Sequence, residues 1–143
     1  MSAQVTASLH ELVFAMDAYA DRLVAREFGT DHSHFVFLSP LREGALDVTR
    51  LAERLNLTKA AVSKRVPVLE QEGWLTVSAD PAHGRRVLLA LTPRGGAMVA
   101  GAGARLNHEF GGLLSGLSID ATAFDHQLRS LIAAVRDLAG RDL

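Results

Sequence analysis

Six histidines and a run of basic side chains near the middle are the residues with chemistry to offer in this cysteine-free sequence. Histidine acts as acid, base or metal ligand, but His10, His32, His34, His83, His108 and His126 are dispersed. Only His32 and His34 are neighbours, and a spacing of two puts them on different faces of a helix. A site built from His32, His34, His108 and nearby carboxylates is conceivable; capping or lining roles are the plainer reading, and no metal is expected. No HExxH, CxxC, GxSxG or Walker-type glycine loop occurs, and Gly101-Ala102-Gly103 lacks the preceding strand of a dinucleotide fingerprint. Without a sulfur nucleophile there is no disulfide, thiolate site or peroxide-sensing thiol. No catalytic constellation remains, so the expectation is a non-enzyme without a cofactor.

The basic residues are more informative. Residues 49–95 carry Arg50, Arg54, Lys59, Lys64, Arg65, Arg85, Arg86 and Arg94 against Glu53, Glu70, Glu72 and Asp80, a net charge of +4. The rest of the chain holds seven basic and twelve acidic residues, a net −5 that hides the basic middle inside a total of −1. Ordinary solvated charge competes with a phosphate-binding surface as the explanation. Local fields decide phosphate recognition, so placement on the elements matters more than the total.

Those elements follow from periodicity. Val5, Leu9, Leu12, Val13, Met16, Ala20, Leu23 and Val24 recur at spacings of three and four, which predicts a long amphipathic helix over 4–28. Gly29, Thr30 and Asp31 stop it and cap a second stretch, 34–42, which contains Pro40 and ends at Gly44. Thr49 is a candidate N-cap for a short helix over 50–55, Asn56 and Leu57 turn the chain, and Thr58 caps the next helix. In that helix Val62, Val66 and Leu69 share one face, while Ala60, Ser63 and Lys64 lie at about 160°, 100° and 200° from Val62. Pro67, at about 140°, is also on the outward side, where it either bends the helix or is tolerated.

Residues 74–78 and 86–91 are β-rich runs separated by turn formers from Asp80 to Gly84, a hairpin with a polar tip. Thr92 and Pro93 start another helix, which Gly111 and Gly112 are expected to break or bend; Ser118 then caps a last amphipathic helix closed by Gly140. Three of the eight basic residues fall on the second helix of the helix-turn-helix and two beside the hairpin tip. Those are the two elements that reach a duplex in such modules, which favours DNA over solvated charge.

The stretch "TRLAERLNLTKAAVSKRVPVLEQEGWLTVSADPAHGRRVLLALTPRGGAM", Thr49 to Met98, resembles the MarR (multiple antibiotic resistance regulator) family of winged-helix transcription factors. "LAERLNLTKAAVSKRVPVLEQEGW" suits several winged-helix families, whereas "DPAHGRRVLLALTPRG" directly after it looks like the wing of this one. The resemblance implies that 58–72 is the recognition helix and 79–86 the wing. It implies DNA-binding roles for Thr58, Lys59, Ala60, Ser63 and Lys64, for Arg85 as a minor-groove arginine, and for its neighbour Arg86. The family usually has an acidic residue close to that arginine; here His83 and Gly84 occupy the stretch, with Asp80 the nearest carboxylate. His34, Phe35, Phe37 and Leu38 lie where relatives bind small, often aromatic, effectors, although such side chains also suit a plain core.

The expected architecture is mainly α with a small β-hairpin wing: a single MarR-type domain over 1–143, with a winged helix-turn-helix at 45–95 and dimerisation helices at 1–30 and 105–143. Two apolar-striped helices at opposite ends suit a platform buried against a second copy. The expected function is that of a homodimeric, ligand-responsive repressor binding a pseudo-palindromic operator in double-stranded DNA, with half-sites about one helical turn apart. The alternative is a winged-helix protein-interaction module that does not touch DNA. No apolar run reaches the roughly 18 residues a membrane span needs, and no export signal is evident, so a cytoplasmic location is expected.

Overall fold

The computed structural model describes residues 3–141, so the ends of the expected flanking segments, 1–2 and 142–143, lie outside the described residues. The elements in chain order are α1 (Val5–Phe28), α2 (His32–Leu38), a 3-10 segment (Ser39–Glu43), β1 (Leu46–Asp47), α3 (Val48–Leu55) and α4 (Lys59–Gln71). They continue with β2 (Leu75–Asp80), β3 (His83–Leu91), α5 (Pro93–Gly116) and α6 (Ala121–Arg141). The chain is thus mainly α with one small antiparallel sheet, as expected. It divides into two compact units, Met1–Gly103 and Ala104–Leu143.

Local chemistry explains most of the boundaries in the first unit. Gly29 ends α1 in the left-handed region at φ 66°, where a side chain would be strained. The Asp31 carboxylate accepts from the His34 N–H and starts α2 two residues earlier than expected. Pro40 cannot donate to a carbonyl one turn back, and from Ser39 the winding tightens to 3-10 rather than continuing as the α-helix expected over 34–42. At α3 the cap is Asp47, whose carboxylate accepts from the Arg50 N–H at 2.8 Å, and not Thr49, which is already inside the helix.

The core gathers Leu23 and Val24 of α1, Phe37 and Leu38 of α2, Leu51 and Ala52 of α3, and Val62, Val66 and Leu69 of α4. Trp74, Leu75, Leu89, Met98 and Val99 complete it from the sheet and α5. Sheet order is β1-β3-β2; β1, a two-residue strand absent from the sequence reading, pairs Leu46 with Leu89 and Asp47 with Leu88. Thr92 fastens α5 beneath the sheet, donating its hydroxyl to the Gly73 carbonyl at 2.6 Å and accepting from the Gly95 N–H at 3.0 Å.

Three expected helix boundaries fall elsewhere. α5 passes unbroken through Gly111 and Gly112 to Gly116, because glycine weakens a helix without interrupting its hydrogen bonds. Ser118 is a left-handed loop residue at φ 58°, and it is Asp120 whose carboxylate accepts from the Ala123 N–H as α6 begins. Gly140 lies within α6, which continues to Arg141.

Candidate nucleic-acid interface

α3 and α4 form the helix-turn-helix. Asn56 takes the left-handed conformation at φ 54°, which asparagine tolerates better than most side chains, and the Leu57 N–H donates to the Ala52 carbonyl at 2.9 Å. Thr58 follows in extended backbone and caps α4, its hydroxyl oxygen accepting from the Ala61 N–H at 3.0 Å. The hydroxyl proton remains available to an outside acceptor, and the N-terminal end of the helix carries partial positive charge.

Burial of Val62, Val66 and Leu69 fixes the rotation of α4. Ala60, Ser63 and Lys64 are consequently exposed away from that face, as the helical spacing predicts, and Lys59 is exposed as the first residue of the helix. Pro67 is exposed too, and α4 runs past it from Lys59 to Gln71; proline has no N–H to offer the Ser63 carbonyl. Arg65 has a different setting from its neighbours, with its guanidinium 4.6 Å from the centre of the Phe37 ring.

The hairpin is built for an exposed tip. β2 and β3 keep regular register from Leu75↔Leu91 to Ala79↔Val87, but the next pair is Asp80↔His83. Gly84, Arg85 and Arg86 therefore have no opposite residue in β2, a bulge that re-aims side chains out of the ladder. The Asp80 carboxylate accepts from the Ala82 N–H at 2.9 Å and is used in the turn, making no ion pair with Arg85 among the described residues. Arg86 does have a partner, Asp47 of β1, at 3.6 Å. Both arginines are exposed.

The eight basic residues of the middle segment thus separate into two kinds. Arg94 lies 3.9 Å over the Trp74 ring and donates to the Glu72 carbonyl, so it serves the fold, as Arg65 and Arg86 do in part. Arg50, Arg54, Lys59, Lys64 and Arg85 are exposed and make no ion pair among the described residues. Sequence reasoning had no signal for Arg94, because its partner is the ring of a residue twenty positions earlier.

The four candidate effector residues of α2 have separate surroundings. Phe37 and Leu38 are buried, Phe35 is half-buried beside Gly103, and His34 lies between Asp31 and Glu72. Of the four, Phe37 lines a cleft of about 520 Å³ together with Asp17, Asp21, His32, Leu57 and Arg65. His32 bridges there to Asp17 through Nε2 at 3.1 Å, and its N–H donates to Asp21 at 3.1 Å.

Residues 28–86 match the MarR family. No curated protein sequence matches the chain. Among solved structures, the transcriptional regulator BldR from Sulfolobus solfataricus is 18% identical, with a TM-score of 0.78 over 92% of this chain and 94% of that one. The S. aureus MepR–DNA complex is 18% identical, with a TM-score of 0.74 over 96% and 99%. NadR in complex with 4-hydroxyphenylacetate is 19% identical, with a TM-score of 0.77 over 94% and 93%. At such identities the likeness is one of fold, and it extends over nearly the whole of each chain.

Proposed function

From the match of residues 28–86 to the MarR family, we propose a sequence-specific DNA-binding transcriptional regulator, acting as a ligand-responsive homodimeric repressor on a pseudo-palindromic operator. One observation carries the DNA reading: burial of Val62, Val66 and Leu69 turns Ala60, Ser63 and Lys64 outward on a capped helix that begins at the exposed Lys59, beside a bulged hairpin that exposes Arg85. Thr58 and Lys59 meet phosphate at the helix N-terminus, Ser63 and Lys64 face base edges in the major groove with Ala60 allowing close approach, and Arg85 enters the minor groove. Arg86, half-neutralised by Asp47, adds a phosphate contact. MepR is seen on DNA and NadR with a small aromatic acid, which supports both halves of the reading.

The dimer is proposed from apolar surface. Val5, Leu9, Leu12 and Val13 of α1 are exposed, and so, in the second unit, are Leu131, Ile132, Val135 and Leu138 of α6. Each stripe is more apolar surface than a lone soluble helix usually shows, and a second copy of the chain would cover it. An effector is proposed to bind beside α2, around His34, Phe35, Phe37 and Leu38, and to change the separation of the two recognition helices.

The test is fluorescence anisotropy on fragments of the protein's own promoter region across a salt series. The expected affinity falls by roughly 0.9 log units per log unit of salt for each phosphate neutralised. Salt-independent binding would favour a protein-interaction module instead, and absence of binding to any fragment would sink the proposal.

A further inference from the structure

One side chain joins α4 to the hairpin. Glu70, on the last turn of α4, accepts through Oε2 from the Val77 N–H of β2 at 3.2 Å. β2 is an edge strand, paired with β3 alone. The Thr92 N–H donates to the Trp74 carbonyl at 3.1 Å, so Trp74 and Thr92, next in register after Leu75↔Leu91, form a hydrogen-bonded pair. Such pairs alternate along an antiparallel ladder, which turns the Val77 N–H away from β3. On that side no strand accepts from it, and Glu70 does instead. Val77 stands two residues before Ala79, whose pairing with Val87 is the last regular one before the bulged tip.

We propose that Glu70 is a positioning residue, a brace that holds the wing against the recognition helix; its consequence for DNA rests on the reading of these two elements as the ones that meet the duplex. Arg85 lies beyond the last regular pair, so its reach depends on how the hairpin is held below the tip. A braced hairpin has less freedom to lose when Arg85 and Lys64 engage the same duplex, and preorganisation of this kind is read as affinity. The Glu70 carboxylate thus opposes DNA by its charge and favours it by geometry, and substitution separates the two effects.

Glu70→Gln and Glu70→Ala remove the same charge, but only the first keeps an oxygen that can accept from Val77. Both place a good helix former at the position, so α4 itself is not weakened. Amide hydrogen exchange followed by NMR reads the brace without any DNA. The Val77 N–H should exchange faster in Glu70→Ala than in Glu70→Gln by about threefold or more, the scale of one hydrogen bond. Equal exchange at Val77 in the two variants overturns the brace.

The DNA arm uses the promoter fragments above. Glu70→Ala should bind them about threefold more weakly than Glu70→Gln, again the scale of one hydrogen bond. Adding Arg85→Ala to each variant shows whether that loss passes through the wing, because the difference between the two Glu70 variants should then disappear. Equal affinities of the two Glu70 variants, or a difference that survives Arg85→Ala unchanged, remove the positioning role. If the wild-type protein binds no fragment, the regulator reading fails while exchange at Val77 still judges the brace.

Discussion

Asp31 shows how one side chain can serve local structure and acid stability together. Burial pushes its carboxyl up, but hydrogen bonds from the His34 ring and backbone N–H, with the charges of His34 and Arg65, outweigh that and hold it below its ordinary value. A depressed folded-state pKa adds stability that is present above the unfolded value of about 3.9 and is lost as pH falls through the lower folded value. Asp31→Asn keeps an oxygen for the helix cap, so its unfolding free energy should depend less on pH below about 4, which chemical denaturation at several pH values would reveal. Two adjacent glycines make a sharper contrast. A Cβ at Gly95 would meet the Trp74 carbonyl oxygen at 2.0 Å, whereas one at Gly96 would meet nothing within 4 Å. Gly95→Ala should therefore destabilise by about 1–3 kcal/mol. Gly96→Ala should stabilise by up to about 1 kcal/mol, and paired urea melts would show the opposite signs.

Among the elements, α4 has a cap that serves stability and that the proposed DNA contact would also use. Thr58→Ala should cost about 1 kcal/mol of stability, and it should weaken DNA binding as well if the start of α4 meets phosphate. Lys64→Ala and Arg85→Ala should leave the melting temperature nearly unchanged, because both side chains are exposed and unpaired among the described residues, yet each should reduce affinity for promoter DNA. Legibility in the sequence follows the same division between local and distant causes. The stripe of α1, the Thr58 cap, the face of α4 and the Thr92-Pro93 start of α5 depend on neighbouring residues and were readable. β1 was not, because two residues carry no periodicity and Leu46 becomes a strand only by pairing with Leu89. Asp47 and Asp120 take the capping places that the sequence assigns to Thr49 and Ser118 since capping residues look alike in sequence, and only the structure places Thr49 inside α3 and Ser118 in the loop before Asp120. At the interface, the outward set on α4 could be read from the wheel, whereas the separation of Arg94 and Arg65 from the exposed cations required the positions of Trp74 and Phe37.

For the whole molecule, the contrast between a +4 middle and −5 flanks persists, but within the middle the part exposed without an ion partner among the described residues narrows to Arg50, Arg54, Lys59, Lys64 and Arg85. In a dimer this set is duplicated, and the acidic remainder would repel DNA from the other surfaces. The dimer itself is testable apart from DNA: a mass measurement at micromolar concentration should give twice 15.3 kDa, and Val135→Asp should shift it toward the monomer. A monomeric wild type would contradict the assignment of the α1 and α6 stripes. The bulge in the hairpin has a consequence on a longer timescale. Because Gly84–Arg86 lie beyond the regular pairs Leu75↔Leu91 to Ala79↔Val87, residues can be exchanged at the tip without replacing any residue of the pairs that touch the core. If the wing touches DNA as proposed, descendants of this sequence can explore new targets through it while inheriting the same scaffold, on a part of the chain that folding barely constrains.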